Sequence, residues 1–385
     1  MTGEVPTRRF AFLAPNFNPR TCGIGDHSVR LGAELVRRGH AVHVFSRLPV
    51  EPNPIDPTIA ATGAPGATPL AIARRLWPLI RAWAPTDLVI QYTGQMLGAS
   101  RFGSPAAPWL AAVAHRAGIQ VTLIAHELYV GFEKRPDVFV AAALLQTQFA
   151  ALLMSVDRSF VTTDSRLKYI EPFCRALGRP APRVIRVGAN ALPLPARRVP
   201  GRARIGLFSS AAAGKRFDVV LGAFSGVLER WPEAELVLLG DLGDPTSPRV
   251  REVTDIIRAH PAAARIRVTG KLSLADVSRE IADLDLYLFP MNTGANTRSG
   301  TLPVALGAGL PVICVHGAET DDALFRSDEN VVFARELTGP AFAEAALRVL
   351  ADPALATRVA NGARALYDAH LSWQSIADSL VTTVA

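Results

Sequence analysis

Short, nearly continuous apolar runs recur along this 385-residue chain, and stretches of helical period lie between them. A strand with one wet face alternates apolar and polar residues, whereas a run apolar at almost every position is covered on both faces, as in a parallel sheet flanked by helices. In the first half the strand candidates are Phe10–Ala14, Ala41–Ser46, Leu88–Gln91, Val121–Ala125, Ser159–Thr162 and Val184–Val187. In the second half they are Arg204–Phe208, Leu236–Leu239, Ile266–Thr269, Leu286–Phe289, Val312–Val315 and Val331–Phe333. This βαβ alternation, repeated in two halves, predicts an α/β chain with two parallel, Rossmann-like sheets. The length agrees, since about 100–200 residues per domain favours two domains over one.

Asn190–Ala203 lacks periodicity and carries Pro193, Pro195 and Pro200, so it reads as a linker. The predicted organisation is therefore a domain over 1–190, a linker over 191–203, a second domain over 204–369 and a last helical segment over 370–385. Within that segment a helix over Ser372–Val384 starts with Ser372 as its N-cap. Pro340–Leu350 and Pro353–Ala369 read as helices, and Pro49–Pro69, rich in Pro, Ala and Thr, as a surface loop. Val138–Val156 carries no charge, but Gln146, Thr147 and Gln148 at its centre favour a buried helix between two strands over a membrane span.

Composition narrows the function. Apolar residues at 49% against 19% charged exclude a disordered chain. The net charge of +7 points at first to nucleic acid. Only Lys134, Lys168, Lys215 and Lys271 are lysines among the 41 cations; the arginines come singly or in pairs, without aromatic interleaving, which argues against a nucleic-acid partner. Three readings of the charge stay open: an anionic substrate, an anionic membrane surface, or an arginine-rich solvated surface. Cys22, Cys174 and Cys314 lie far apart and form neither a zinc spacing nor a disulfide framework, as expected of a reducing cytosol. Met1–Arg9 is polar and has no apolar signal core, so a cytoplasmic location is expected.

The motifs cluster after strands. Gly23-Ile24-Gly25-Asp26 precedes an amphipathic stretch from about His27 to Arg38, and glycines at a helix start let backbone amides approach an anion. A dinucleotide fingerprint is disfavoured, because the loop from Ala14 is too long and the second strand ends Phe45-Ser46-Arg47 without an acid. A plain connection is the other reading of these glycines. Gly39 suits the position after the helix, and His40 reads as structural. His126, followed by Glu127, stands at a strand's carboxyl end, where open α/β sheets bind ligands; it is read either as a substrate contact or as a structural histidine. In the second half Ser209–Arg216 follows the first strand and holds Ser210 and Lys215, the latter a cation suited to phosphate. Gly240-Asp241 and Gly270-Lys271 end two more strands, and Lys271 is read as a base or phosphate contact or as a solvent-facing turn. The richest stretch, PMNTGANTRSGTLPVALGAG over 290–309, offers Asn296, Arg298, Ser299, Gly300, Thr301 and Leu302 as an anion site at a helix start, with Arg298 as a fork.

These residues together resemble the GT-B glycosyltransferases of family 4, the group-1 glycosyl transferases, over nearly the whole chain. Gly23-Ile24-Gly25 resembles the family's N-terminal glycine loop, Gly39-His40-Ala41-Val42 its G-H-x-V, and His126 its active-site histidine. Lys215 resembles the lysine of the Arg-x4-Lys phosphate motif, with Ser210 where the family has arginine. Asp285–Pro290 and Ala305–Val312 resemble two further landmarks, while the Glu-x7-Glu pair falls on Asn296 and Val304. The resemblance implies two facing Rossmann-like domains: an N-terminal acceptor domain, a C-terminal nucleotide-sugar domain and a final helix crossing back onto the first. It implies a retaining, metal-independent transfer of a sugar from a nucleotide diphosphate donor to a glycan, glycolipid or small-molecule acceptor, as in polysaccharide biosynthesis, with no separate cofactor. Peripheral contact at the inner membrane face belongs to the same expectation. His126, Lys215 and Arg298 would carry catalysis; Gly23, Gly25, Ser210, Gly240, Lys271, Asn296, Ser299, Gly300, Thr301 and Leu302 would hold the donor. The alternatives are a catalytically impaired homologue that binds or scaffolds, favoured by the missing Glu pair and by Ser210, and a sugar-nucleotide epimerase on the same architecture.

Overall fold

The computed structural model describes residues 7–17, 23–48, 50, 56–94, 96–98, 102–128, 135–199, 201–212 and 214–382. Cys22, Lys134, Pro200, most of 49–55 and the loop residues 18–22 lie outside these. In chain order the elements are β1 (Arg9–Ala14), α1 (Gly23–Arg37), β2 (Ala41–Ser46), β3 (Ala60–Gly63), α2 (Pro69–Trp83), β4 (Asp87–Tyr92), α3 (Ala106–Arg116), β5 (Gln120–Ala125), α4 (Pro136–Leu153), β6 (Arg158–Val161), α5 (Asp164–Ala176) and β7 (Arg183–Val184). There follow β8 (Arg204–Phe208), α6 (Phe217–Leu228), β9 (Glu235–Leu239), α7 (Pro248–Arg258), β10 (Ile266–Val268), α8 (Leu274–Ala282), β11 (Leu286–Phe289), α9 (Thr301–Gly307), β12 (Val312–Val315), β13 (Val332–Ala334), α10 (Gly339–Ala351), α11 (Pro353–Leu366) and α12 (Trp373–Val381). The chain forms two compact units: Met1–Thr162 with Arg166–Ile185 and Ile376–Ala385, and Thr163–Ser165 with Arg186–Ser375.

The first unit is built on a parallel sheet of order β3-β2-β1-β4-β5-β6-β7. Its central strands β1, β4 and β5 are buried almost throughout, and every residue of β4 is buried. Leu13, Leu88, Leu123, Leu110 and Phe149 share one core. Each helix begins or ends where local chemistry permits. Thr68 caps α2 by accepting from the Ala71 amide, with Pro69 at the first helical position. Gly39, at φ +85°, closes α1 in the left-handed conformation that other residues adopt at a cost. Ile376, Ala377 and Leu380 of α12 are buried, and the Leu380 and Val381 carbonyls accept from Arg158 and Arg8 of this same unit.

The second unit carries a parallel sheet of order β10-β9-β8-β11-β12-β13. Here successive residues feed opposite cores. Leu236 and Leu238 enter one cluster with Leu286 and Leu288, whereas Val237 and Leu239 enter the other with Tyr287 and Phe289. That is the two-faced burial that continuous apolar runs require.

Several expectations change in detail. The segment Pro49–Pro69 is not all loop: Ala60–Gly63 is an edge strand whose residues pair with His43–Ser46. Its small side chains give no apolar run, and its buried anchors are the flanking Ile59 and Ala64. Helix α1 starts at Gly23, so both glycines lie in its first turn and not in a loop before it. The last strand of the first sheet is Arg183–Val184, earlier and shorter than expected. Residues 191–199 run extended along the second unit, with the Ala196 amide bound to Ala308 O and the Val199 amide to Asp285. Helix α4 buries only one side, including Ala142, Gln148, Phe149 and Leu152, while Phe139, Val140 and Leu144 are exposed. By length and composition α4 is apolar enough to cross a membrane.

Candidate active site

In an open α/β sheet the crevice for a ligand forms where the strand order reverses, beyond the strands' carboxyl ends. In the second sheet that point lies between β8 and β11. The two loops leaving these strands meet there. Lys215 and Met291 pair as an isolated antiparallel bridge, the Asn292 amide donates to Gly214 O at 3.1 Å, and the Arg216 amide donates to Pro290 O at 3.1 Å. Gly214 sits at φ +84°, and a Cβ there would lie 2.9 Å from Asn292 Oδ1.

This frame holds the Lys215 ammonium inside the protein. Lys215 is 7% exposed, and its Nζ has no hydrogen-bond partner among the described residues. The Nζ lies 4.2 Å from the centroid of the Phe289 ring, whose face attracts a cation. Burial pushes its pKa from 10.5 down to about 8. A buried ammonium without a counter-ion is costly to the fold and is a ready receptor for an anion.

The loop after β11 is organised by Asp321, which is fully buried. Its Oδ2 accepts from the Thr297 amide at 2.7 Å and from the Thr297 hydroxyl at 2.8 Å, and its Oδ1 lies 3.0 Å from Arg186 Nη1. Arg186 also pairs with Asp164. Burial nonetheless raises the Asp321 carboxyl above the usual range. Asn296 is buried too, but its side chain serves its own loop: Oδ1 accepts from the Arg298 amide and Nδ2 donates to Gly294 O. Val304, at the second position of the absent Glu pair, is buried inside α9.

The remaining candidates are placed as follows. Arg298 is half exposed and pairs with Glu319 at 3.1 Å, and among the described residues no hydrogen bond or ion pair joins it to Lys215. The Ser299 and Thr301 hydroxyls bond each other at 2.8 Å. The Gly300 carbonyl accepts from the Asn190 amide, and a Cβ there would come within 3.0 Å of Gly188 O, so its smallness has a packing reason. Leu302 is buried in the first turn of α9. The Gly240 amide is taken by Thr269 Oγ1, with Gly240 itself at φ +104°. Ser210 and Lys271 are exposed. These residues share the carboxyl end of one sheet: the Lys215 loop is bridged to Met291 and bonded through the Ala211 amide to Leu242 O, and Gly240 is bridged to Gly270.

In the first unit the order reverses between β1 and β4. Gly23 and Gly25 open α1 beside this point, and Gly25 is buried. His126 follows β5, and its Nε2 lies 2.5 Å from Gln91 Oε1. The His27 ring, on the first turn of α1, meets the His126 ring edge-on at 4.9 Å. Burial, then the neighbouring His27 and Arg166, hold His126 well below the usual histidine pKa, so it is neutral. Sequence reasoning passed over Gln91, His27, Phe289 and Asp321. Gln91 alone left a sign, as a carboxamide ending an apolar run.

Residues 202–352 match the family described as "Glycosyl transferases group 1". Over these residues the second unit is similar to a group-1 glycosyl transferase domain. The full chain has the GT-B fold of solved glycosyltransferases. It is similar to a glycosyltransferase from Rickettsia africae at a TM-score of 0.73 and 13% identity, covering 98% of this chain and 97% of that one. Anabaena Alr3699/HepE, solved in complex with UDP, is similar at 0.70 and 13%, covering 97% and 98%. Sucrose-phosphate synthase from Thermosynechococcus elongatus is similar at 0.68 and 16%, covering 97% of each chain. No curated protein matches the chain in sequence. The matched stretch contains both the Lys215 loop and the loop organised by Asp321.

Proposed function

We propose that the protein transfers a sugar from a nucleotide diphosphate donor, held by the second unit, to an acceptor held by the first. The observation that carries this reading is the buried, unpartnered Lys215 ammonium at the switch point of the second sheet. Bond breaking at the anomeric carbon leaves negative charge on the departing diphosphate. A cation fixed in a dry site before the reaction stabilises that charge without reorganising. The neutral His126 imidazole, at the corresponding point of the first unit, is suited to hydrogen-bond a sugar hydroxyl and carries no charge to repel a cationic transition state. Transfer with retention and without metal is part of the same reading, with the leaving phosphate accepting the acceptor's proton. HepE of Anabaena was solved with UDP-glucose, which supports a uridine nucleotide as the first donor to try. Peripheral membrane contact is included, supported by the exposed Phe139, Val140 and Leu144 of α4.

The test is calorimetry with nucleoside diphosphates, followed by NMR of the product's anomeric configuration. Binding of a diphosphate by the wild type, lost by at least tenfold in Lys215→Met, is the expected result. Equal binding by both proteins removes the basis of the proposal.

A second reading, a homologue that binds the donor without turning it over, is favoured by one observation. Asn296 and Val304 stand where the family carries its glutamates, and both are committed to packing. Donor binding without transfer or hydrolysis across a panel of acceptors selects this reading.

A further inference from the structure

Three adjacent strands of the first sheet bring Gln91, His126 and His27 together. Gln91 is the penultimate residue of β4, His126 follows β5, and His27 lies in the helix that follows β1. The ladder continues past the strand ends, since the His126 amide donates to Tyr92 O at 3.0 Å. Gln91 is fully buried in a strand otherwise made of apolar residues, Tyr92 and an aspartate paired with Arg8. Burying a carboxamide is unfavourable unless its polar atoms are used. Its Oε1 is used: it lies 2.5 Å from His126 Nε2.

A neutral imidazole has one N–H and one lone pair, and the group facing one nitrogen decides which is which. An amide oxygen only accepts, so the nitrogen facing it must carry the proton. The other nitrogen then keeps its lone pair, and His126 Nδ1 makes no hydrogen bond among the described residues. We propose that Gln91 is a positioning residue that fixes His126 as the Nε2–H tautomer, so that the ring offers Nδ1 as an acceptor to a substrate hydroxyl. The His27 ring, edge-on at 4.9 Å, restricts the rotation that would exchange the two nitrogens. Glycosyl transfer supplies the identity of the hydroxyl; the tautomer is a property of the protein alone. The role predicted for His126 is that of an acceptor that orients a hydroxyl, which differs from that of a proton donor. As placed, Gln91 Nε2 is buried without a hydrogen-bond partner among the described residues; reversing the amide would put N–H groups against the ring, force the opposite tautomer and leave Oε1 the orphan instead, so the tautomer reads out the amide orientation.

The experiment is multiple-bond 15N–1H NMR on the full chain labelled at the histidine nitrogens, with His126 assigned by its loss in His126→Asn. At pH 7 the wild type should show His126 Nδ1 unprotonated and Nε2 protonated. Gln91→Met removes the acceptor at similar volume, and its two nitrogen shifts should move toward each other as tautomers mix. In Gln91→Glu the carboxylate should raise the pH at which the ring protonates. A wild-type ring protonated on Nδ1 overturns the proposal, and so does a folded Gln91→Met with unchanged shifts. The wild-type spectrum decides even if the Met variant does not fold. No sugar donor is involved, so this outcome is separate from the test of glycosyl transfer.

Discussion

Lys215 is held at an energetic cost, and the cost predicts how substitution divides stability from binding. Lowering its pKa from 10.5 to about 8 corresponds to on the order of 3 kcal/mol against folding at neutral pH, partly offset by the Phe289 ring. Lys215→Met is therefore expected to melt higher, by about 1–3 kcal/mol of added stability, while it loses affinity for diphosphates. The pH dependence has a definite sign. Between pH 8 and 10.5 the unfolded chain binds the proton more than the folded one, so this group's contribution to stability rises with pH across that window. Diphosphate affinity runs the other way and falls as pH rises through about 8, which titration calorimetry at several pH values will show. Lysine scarcity in an arginine-rich sequence was enough to single this residue out. Gly300 was legible only as a glycine: the sequence favoured ligand approach, and Gly188 O gives a second cause. Gln91 and His27 escaped because neither belongs to a motif, and only neighbouring strands bring them to His126.

Among the elements, starts and stops are set by single side chains, and these are testable separately. Ser372 Oγ accepts from the Ser375 amide at 3.2 Å and so caps α12, as the sequence indicated. Ser372→Ala should cost about 1 kcal/mol in chemical denaturation. The loop leading into α9 depends on a carboxylate from a distant part of the sequence. Removing Asp321 leaves Arg186 short of a partner and the Thr297 amide without an acceptor. Asp321→Ala should therefore destabilise the second unit by about 3–5 kcal/mol, read as a lower melting midpoint. Strand β3 was hidden for the opposite reason, since nothing in Ala60–Gly63 reads as a strand until β2 supplies the register. Both misses concern non-local partners, which no local pattern can encode.

Taken whole, the chain disclosed its architecture through repetition. Eleven of the twelve runs read as strands lie within a residue or two of strands in the structure, because strands buried on both faces must be apolar throughout. Val184–Val187 overlaps its strand by one residue, where the chain leaves the sheet after the Ile185 amide bonds to Val161 O. What repetition leaves unsaid is the path between units, since the first unit is made of separate stretches. A chain shortened by residues 376–385 should lose about 3–6 kcal/mol from the first unit, at about 1.5–3 kcal/mol for each of the buried Ile376 and Leu380. Hydrogen exchange should then show faster amide exchange in β1 and β6.

The same threading has a temporal meaning during synthesis. Domains ordinarily fold in the order they emerge, yet here residues 376–382 belong to the unit whose other parts end at Ile185. The intervening stretch of about 190 residues takes roughly 10–40 s to translate at about 5–20 residues per second. Throughout that interval the nascent first unit lacks the helix that covers Arg8 and Arg158. The part made first is the part finished last.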